Sequence, residues 1–215
     1  VVRRTDWPLP PPDDGRPASA GGPEDAAARP AGRRRSRGRR EPSEERVREA
    51  SLSPEERARA ICLRLLTGAP RTRRQLADAL AKRDVDAEVS VAVLDRLEAA
   101  GLIDDAAFAG AWVESRHHGR GLARRALARE LRTRGVASAV VDEAVGRLDA
   151  DTEEETAREL VARKLRATRG LDREKRIRRL AGMLARRGYG EGLALRVVRE
   201  ALEAEGEDTE SLLED

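Results

Sequence analysis

GLARRALARELRTRGV, residues 121–136, reads as one helix. Leu127 and Leu131 form an i, i+4 pair on a single face, while Arg125, Arg129 and Arg132 gather on the opposite side of the helical wheel. Gly135 supplies the stop, because glycine accepts the left-handed backbone that ends a helix. The same pattern returns 51 residues earlier and 53 residues later. Leu127 corresponds to Leu76 and Leu180, Leu131 to Leu80 and Leu184, Arg134 to Arg83 and Arg187, and Gly135 to Asp84 and Gly188. A second apolar stripe follows each copy: Val89, Val93, Leu94 and Leu97; then Val140, Val141, Val145 and Leu148; then Leu193, Val197, Val198 and Leu202. A fixed period near 50 residues is the mark of a repeat architecture.

The composition restricts the core. Charged residues make up 39% of the chain and aromatics 2%, so the interior must be built from Leu, Val, Ile and Ala on narrow helical stripes. Net charge is only +3, but it is unevenly spread: residues 203–215 carry seven acidic and no basic side chains, and the remainder is basic. A basic body fits an anionic partner, nucleic acid or an acidic protein surface. The plainer reading is also open, since 40 of the 43 basic residues are Arg in an Ala-rich chain, as a GC-rich genome produces. The single cysteine, Cys62, falls on an apolar helix face and reads as a buried structural thiol. No apolar run approaches the roughly 18 residues of a membrane span, and no signal-peptide pattern opens the chain, so a cytoplasmic location is expected.

Taken in order, residues 1–50 hold most of the prolines and few large apolar residues beyond Trp7 and Leu9, and are expected to be disordered. Within them the run of Arg33, Arg34, Arg35, Arg37, Arg39 and Arg40 suits sequence-independent contact with phosphates, or serves simply as a solvated arm. Ser53-Pro54-Glu55-Glu56 and Thr72-Arg73-Arg74-Gln75 are capping boxes opening two helices, and Asp86 caps a third that ends at Gly101. The second unit opens on Asp104 or Asp105, with Phe108, Ala109, Trp112 and Val113 as its buried stripe. Adjacent carboxylates could suggest a metal, but no further ligand stands at workable spacing, so capping is preferred. His117 and His118 point about 100° apart on a helix and suit its negative end better than a shared metal. The third unit opens on Thr152-Glu153-Glu154-Glu155 as a further capping box; Asp172 caps its second helix, and the last helix runs from about Glu191 to Ala204.

The expected fold is therefore all-α: a tandem, elongated or curved array of three three-helix repeats at residues 51–102, 103–149 and 150–204. A disordered arm precedes it and a frayed acidic tail, 205–215, follows, in which Leu212 and Leu213 could dock.

Certain motifs carry a resemblance. Leu63-Arg64-Leu65-Leu66 is followed by Arg73-Arg74-Gln75-Leu76; then come Gly101-Leu102-Ile103-Asp104-Asp105 with Phe108-Ala109, and Arg120-Gly121 with Arg129-Glu130-Leu131 up to Gly135-Val136. In these, over about residues 52–204, the chain resembles the RecX family of recombinase regulators. The resemblance implies tandem three-helix repeats that bind the RecA recombinase and its filament on single-stranded DNA. It further implies inhibition of filament growth, ATP hydrolysis, strand exchange and co-protease stimulation. It implies no catalytic residue, and it says nothing of the arm or the tail.

For function, Arg74, Arg125 and Arg178 occupy equivalent positions, two residues before the first core leucine of each repeated helix. An array would present them as a row suited to an extended anionic target, with Arg129 and Arg132 beside it. Arg83, Arg134 and Arg187 recur at helix C-termini, where the dipole and terminal carbonyls explain them. The alternative is a DNA-binding protein with helix-turn-helix-like units, against which stands the near absence of amide side chains: Gln75 is the only one on these helices. Weak non-specific DNA binding fits either reading. The expected state is a monomer without cofactor, metal or enzymatic activity, since no nucleophile with its base, metal cluster or phosphate loop is visible.

Overall fold

The computed structural model describes residues 52–211, with the backbone alone for 207–211. Nine α-helices and one 3-10 turn are present among the described residues, and no strand. The first unit holds α1 (Pro54–Gly68), α2 (Arg73–Ala81) and α3 (Ala87–Ala99). The second holds α4 (Asp105–Arg120), α5 (Arg124–Thr133) and α6 (Ser138–Gly146). The third holds α7 (Ala150–Leu165), the turn Arg166–Thr168, α8 (Arg173–Arg186) and α9 (Glu191–Ser211).

Local signals set most helix starts. Ser53 and Glu56 close a reciprocal capping box on α1, and Thr72 and Gln75 close one on α2. The carboxylates of Asp86, Asp104 and Asp172 accept first-turn amides of α3, α4 and α8. After each repeated helix (α2, α5, α8) the backbone turns left-handed, at Asp84 (φ 55°), Gly135 (φ 80°) and Gly188 (φ 90°).

Each unit owns its core. The leucine pairs of α2, α5 and α8, Leu76 and Leu80, Leu127 and Leu131, Leu180 and Leu184, are all at most 1% exposed. At roughly 1.5–3 kcal/mol for each buried leucine, they are the main apolar contribution of each unit. Around them lie three separate clusters, centred on Val93, Leu94 and Leu97, on Phe108, Trp112 and Val141, and on Val161, Val197 and Val198. The most extensive helix–helix packing is all within a unit. The triplets therefore stand in tandem and do not share one centre.

Several boundaries differ from the sequence reading. Residues 121–136 are not one helix: Gly121 (φ 61°) is the left-handed cap of α4, and α5 spans only Arg124–Thr133. Helix α7 starts before Thr152, because Asp149 accepts the amides of Asp151 and Thr152 and takes the capping role. Glu153 is freed for a different partner. Helix α9 continues into the expected tail, where Glu205, 14% exposed at its side chain, pairs with Arg169 at 2.7 Å and with Arg176. Those bonds hold its carboxyl below the ordinary range, Arg169 contributing first and Arg176 next. Glu205, the first residue of the expected tail, is thus held by charge; Leu212 and Leu213 lie outside the described residues, as does the arm of residues 1–50 with Arg33–Arg40.

Candidate functional site

Any surface function depends on how the units are joined, and both joints follow one plan. The N-termini of α2 and α5 each meet the turn that ends the next repeated helix. At the first joint the Thr72 hydroxyl, capping α2, also donates to the Arg134 carbonyl at 2.7 Å, and the Arg73 amide donates to Asp105 at 2.9 Å. At the second, the Ala123 amide donates to the Arg187 carbonyl at 2.9 Å. There Glu153 accepts the Arg124 amide at 3.0 Å and its guanidinium at 2.7 Å. Helix α5 has no side-chain cap of its own, so its cap comes from the following unit. The positive N-terminus of α5 faces the carbonyl end of α8, and α2 faces α5 likewise, which is the favourable sense for both dipoles.

Glycines make these approaches close. A Cβ on Gly188 would stand 2.5 Å from the Ala126 nitrogen, and one on Gly135 would stand 2.3 Å from the Arg74 side chain. Tyr189, at the position held by Val85 and Val136, reaches across the second joint and donates to the Gly121 carbonyl at 3.1 Å. Burial first, and the Glu153 charge second, push its phenol up to about 12. His117 is buried in the same joint, 2.9 Å from the Leu122 carbonyl and 3.1 Å from the Thr156 hydroxyl. It bridges the joint from the last turn of α4; His118, exposed in the same turn, contacts the Glu114 carbonyl. Asp104 is the cap, and burial pushes the Asp105 carboxyl up against the opposing pull of the Arg73 amide. Cys62 is fully buried, which raises its thiol pKa and makes it inert.

The outward arginines divide into groups. Arg74, Arg125, Arg129, Arg132 and Arg178 are all exposed. Arg74 bonds Asp78 at 2.9 Å while its stem covers Gly135, and Arg132 bonds Asp142 at 2.8 Å. Surface pairs of this kind contribute about 0–1 kcal/mol, so an incoming anion can displace them. Among the described residues Arg125, Arg129 and Arg178 make no ion pair. Arg178 lies mid-helix, because α8 begins a turn earlier than α2 and α5 do relative to the shared leucines. Of the three C-terminal arginines, Arg83 caps a carbonyl of its own helix, that of Ala79 at 2.9 Å. Arg187 reaches the Arg120 carbonyl across the joint, and Arg134 lies over the Trp112 ring, 3.7 Å from its centroid.

Sequence reasoning missed a second arginine group. Trp112, Arg116 and Arg120 stand at i, i+4 and i+8 on one face of α4, a spacing visible in the sequence. They line a cleft of about 410 Å³ together with Gln75, Arg129, Glu130, Thr133 and Arg134. Arg116 is 6% exposed and lies 4.2 Å from the Trp112 centroid, on a ring that Arg134 also covers. A larger depression at the second joint, about 630 Å³, mixes Arg120, Arg163 and Arg187 with Glu155 and Glu159 and lacks a comparable charge bias. Among the described residues no group of three or more His, Cys, Asp or Glu is placed to hold a metal ion, and no helix is long and apolar enough to cross a membrane.

Fold and surface together define a tandem-repeat helical protein with arginine-rich outer faces. Three family models match it, described as the first, second and third three-helix domains of RecX, over residues 58–97, 104–145 and 151–198. The chain is 74% identical over 164 residues to the regulatory protein RecX of Streptomyces lividans, covering 76% of this chain and 87% of that one. To the regulatory protein RecX of Thermobifida fusca it is 64% identical over 159 residues, covering 73% and 86%. The crystal structure of RecX from Lactobacillus salivarius shares the fold at a TM-score of 0.64 and 15% identity, over 68% of this chain and 96% of that one. The chain belongs to the RecX family.

Proposed function

We propose that this protein regulates a RecA recombinase by binding its filament on single-stranded DNA, as a cytoplasmic monomer without catalytic activity of its own. It inhibits the filament's ATP hydrolysis, strand exchange and co-protease stimulation. The family membership just given supports this reading, with relatives named as regulatory proteins over most of their length. The end-to-end joints carry the physical part. Because each joint bonds the same helix ends, outward side chains at equivalent positions recur along the array, and a repeating target is met by a repeating surface. Arg74, Arg125 and Arg178, with Arg129 and Arg132, are the residues assigned to that contact, and guanidinium forks suit carboxylates and phosphates alike.

The test replaces the row without disturbing the joint. Arg74→Met keeps the stem that covers Gly135, and is combined with Arg125→Ala and Arg178→Ala. Single-strand-dependent ATP hydrolysis by the recombinase should then recover from inhibition, with helical content unchanged. Undiminished inhibition by the triple variant removes the row from the mechanism, and no inhibition by the unaltered chain ends the reading.

A further inference from the structure

We propose that the cleft between the first and second units is a phosphate-binding site for a nucleic-acid strand, formed by Arg116, Arg120 and Arg129 around the Arg-stacked Trp112. Arg116 motivates it. The Arg116 residue is 6% exposed, so its side chain is largely packed away from bulk water, which is unfavourable for a cation without a compensating partner. Its Nε has no hydrogen-bond partner among the described residues. The Trp112 face, 4.2 Å from the guanidinium carbon, offsets only part of that loss. Nearly all buried polar groups are satisfied, so a buried cation left this way needs a reason, and an anion entering the cleft supplies one. The lining carries four arginines, Arg116, Arg120, Arg129 and Arg134, against one carboxylate, Glu130, which is occupied by the indole N–H at 2.8 Å.

The geometry also says which part of the strand is held. Trp112 has Arg116 over its ring at 4.2 Å and Arg134 at 3.7 Å, and its edge N–H is bonded to Glu130. With its ring so engaged it cannot serve as a platform for a base, which is how single strands are usually gripped. What it does instead is hold guanidinium planes in place. Several fixed guanidiniums match the oxygens of a phosphodiester, and contacts of that kind position a strand without reading its sequence. A strand is favoured over an acidic peptide because Arg125 and Arg129 continue the charge one turn along α5, so a chain with a charge at every residue is met at successive steps.

The experiment uses the full chain with Trp7→Phe, which leaves Trp112 as the sole tryptophan, and needs no recombinase. Fluorescein-labelled oligothymidylate is titrated by anisotropy across a salt series while Trp112 emission is followed. Unaltered cleft residues should give a saturable change in Trp112 emission. Arg120→Gln with Arg129→Gln should weaken binding about tenfold or more, lower the salt slope by about 0.7 for each phosphate no longer neutralised, and suppress the emission change. Arg116→Gln should do the same, and the exposed pair keeps the test decisive if that variant fails to fold. Arg199→Gln, which removes one charge on α9 as Arg116→Gln does in the cleft, should leave the emission change intact. The proposal is overturned if the Arg120/Arg129 variant behaves like Arg199→Gln, if Trp112 emission does not respond, or if polyglutamate of equal charge elicits the response as readily. Failure here leaves filament regulation standing, and failure of the filament assay leaves this site standing.

Discussion

Replacing Gly188 by alanine tests the joint between the second and third units. Two costs coincide there and can be separated. The backbone at Gly188 has φ 90°, and a side chain in left-handed backbone costs roughly 1–2 kcal/mol, offset by about 0.4–1 kcal/mol from the stiffer unfolded chain. The second cost is steric: the new Cβ would sit 2.5 Å from the Ala126 nitrogen and 2.7 Å from its Cβ. The obstacle is backbone and cannot rotate aside. Overpacking of this kind costs about 1–3 kcal/mol, and relieving it by separation breaks the bonds from Ala123 to Arg187 and from Tyr189 to Gly121, each worth about 1 kcal/mol. Gly101 is the matched control, with φ 70° and no atom within 4 Å of the place its Cβ would take. Urea unfolding followed by far-ultraviolet circular dichroism should show Gly101→Ala costing about 1 kcal/mol and Gly188→Ala about 3 kcal/mol. Because arrays can unfold unit by unit, amide hydrogen exchange should show the excess loss in α7–α9 and the second joint. Equal costs for the two variants refute the view that the units are locked by close backbone approach.

Two further predictions concern titration. Tyr189 is the only tyrosine, so ultraviolet absorbance should show its phenol titrating near 12 rather than near 10, and the group disfavours its charged form in the fold. Its folded value is raised, so its contribution is fully present below pH 10 and is lost as pH climbs through about 12; a midpoint at the free-phenol value means the phenol is not buried beside Glu153 at the joint. Glu205 runs the opposite way. Its folded value is depressed by Arg169 and Arg176, so its contribution is present above the ordinary carboxylate range of roughly 4.3 and disappears as pH falls through the lower folded value. Glu205→Gln should accordingly raise hydrogen exchange in the last turns of α9 at neutral pH, and unchanged exchange there means the tail is held by something else.

The three-unit plan was legible because the burial rule is local and periodic. Leucines four apart at a fixed spacing in three copies can be satisfied only by a helix with one buried face, and the six so identified are the most buried leucines among the described residues. Caps at Ser53, Thr72, Asp86, Asp104 and Asp172 were readable for the same reason, since donor and acceptor lie within three residues. The misread start of α7 has a physical cause. Thr152 to Glu155 has the letters of a capping box, but Asp149, one turn earlier, captures the amides, and Glu153 is drawn to Arg124, 29 residues away.

The sequence by itself determined the helices, their grouping into triplets and the leucines of each core, because those depend on neighbours three or four residues apart. Only the tertiary structure decided what Glu153, His117 and Tyr189 do. Their partners come from other units or from the far side of a joint, and a bond between residues distant along the chain leaves no periodic trace. The cleft around Trp112 lies between those extremes. The spacing of Trp112, Arg116 and Arg120 was there to be read, but their burial against Arg134 and Gln75 depended on how one unit met the next.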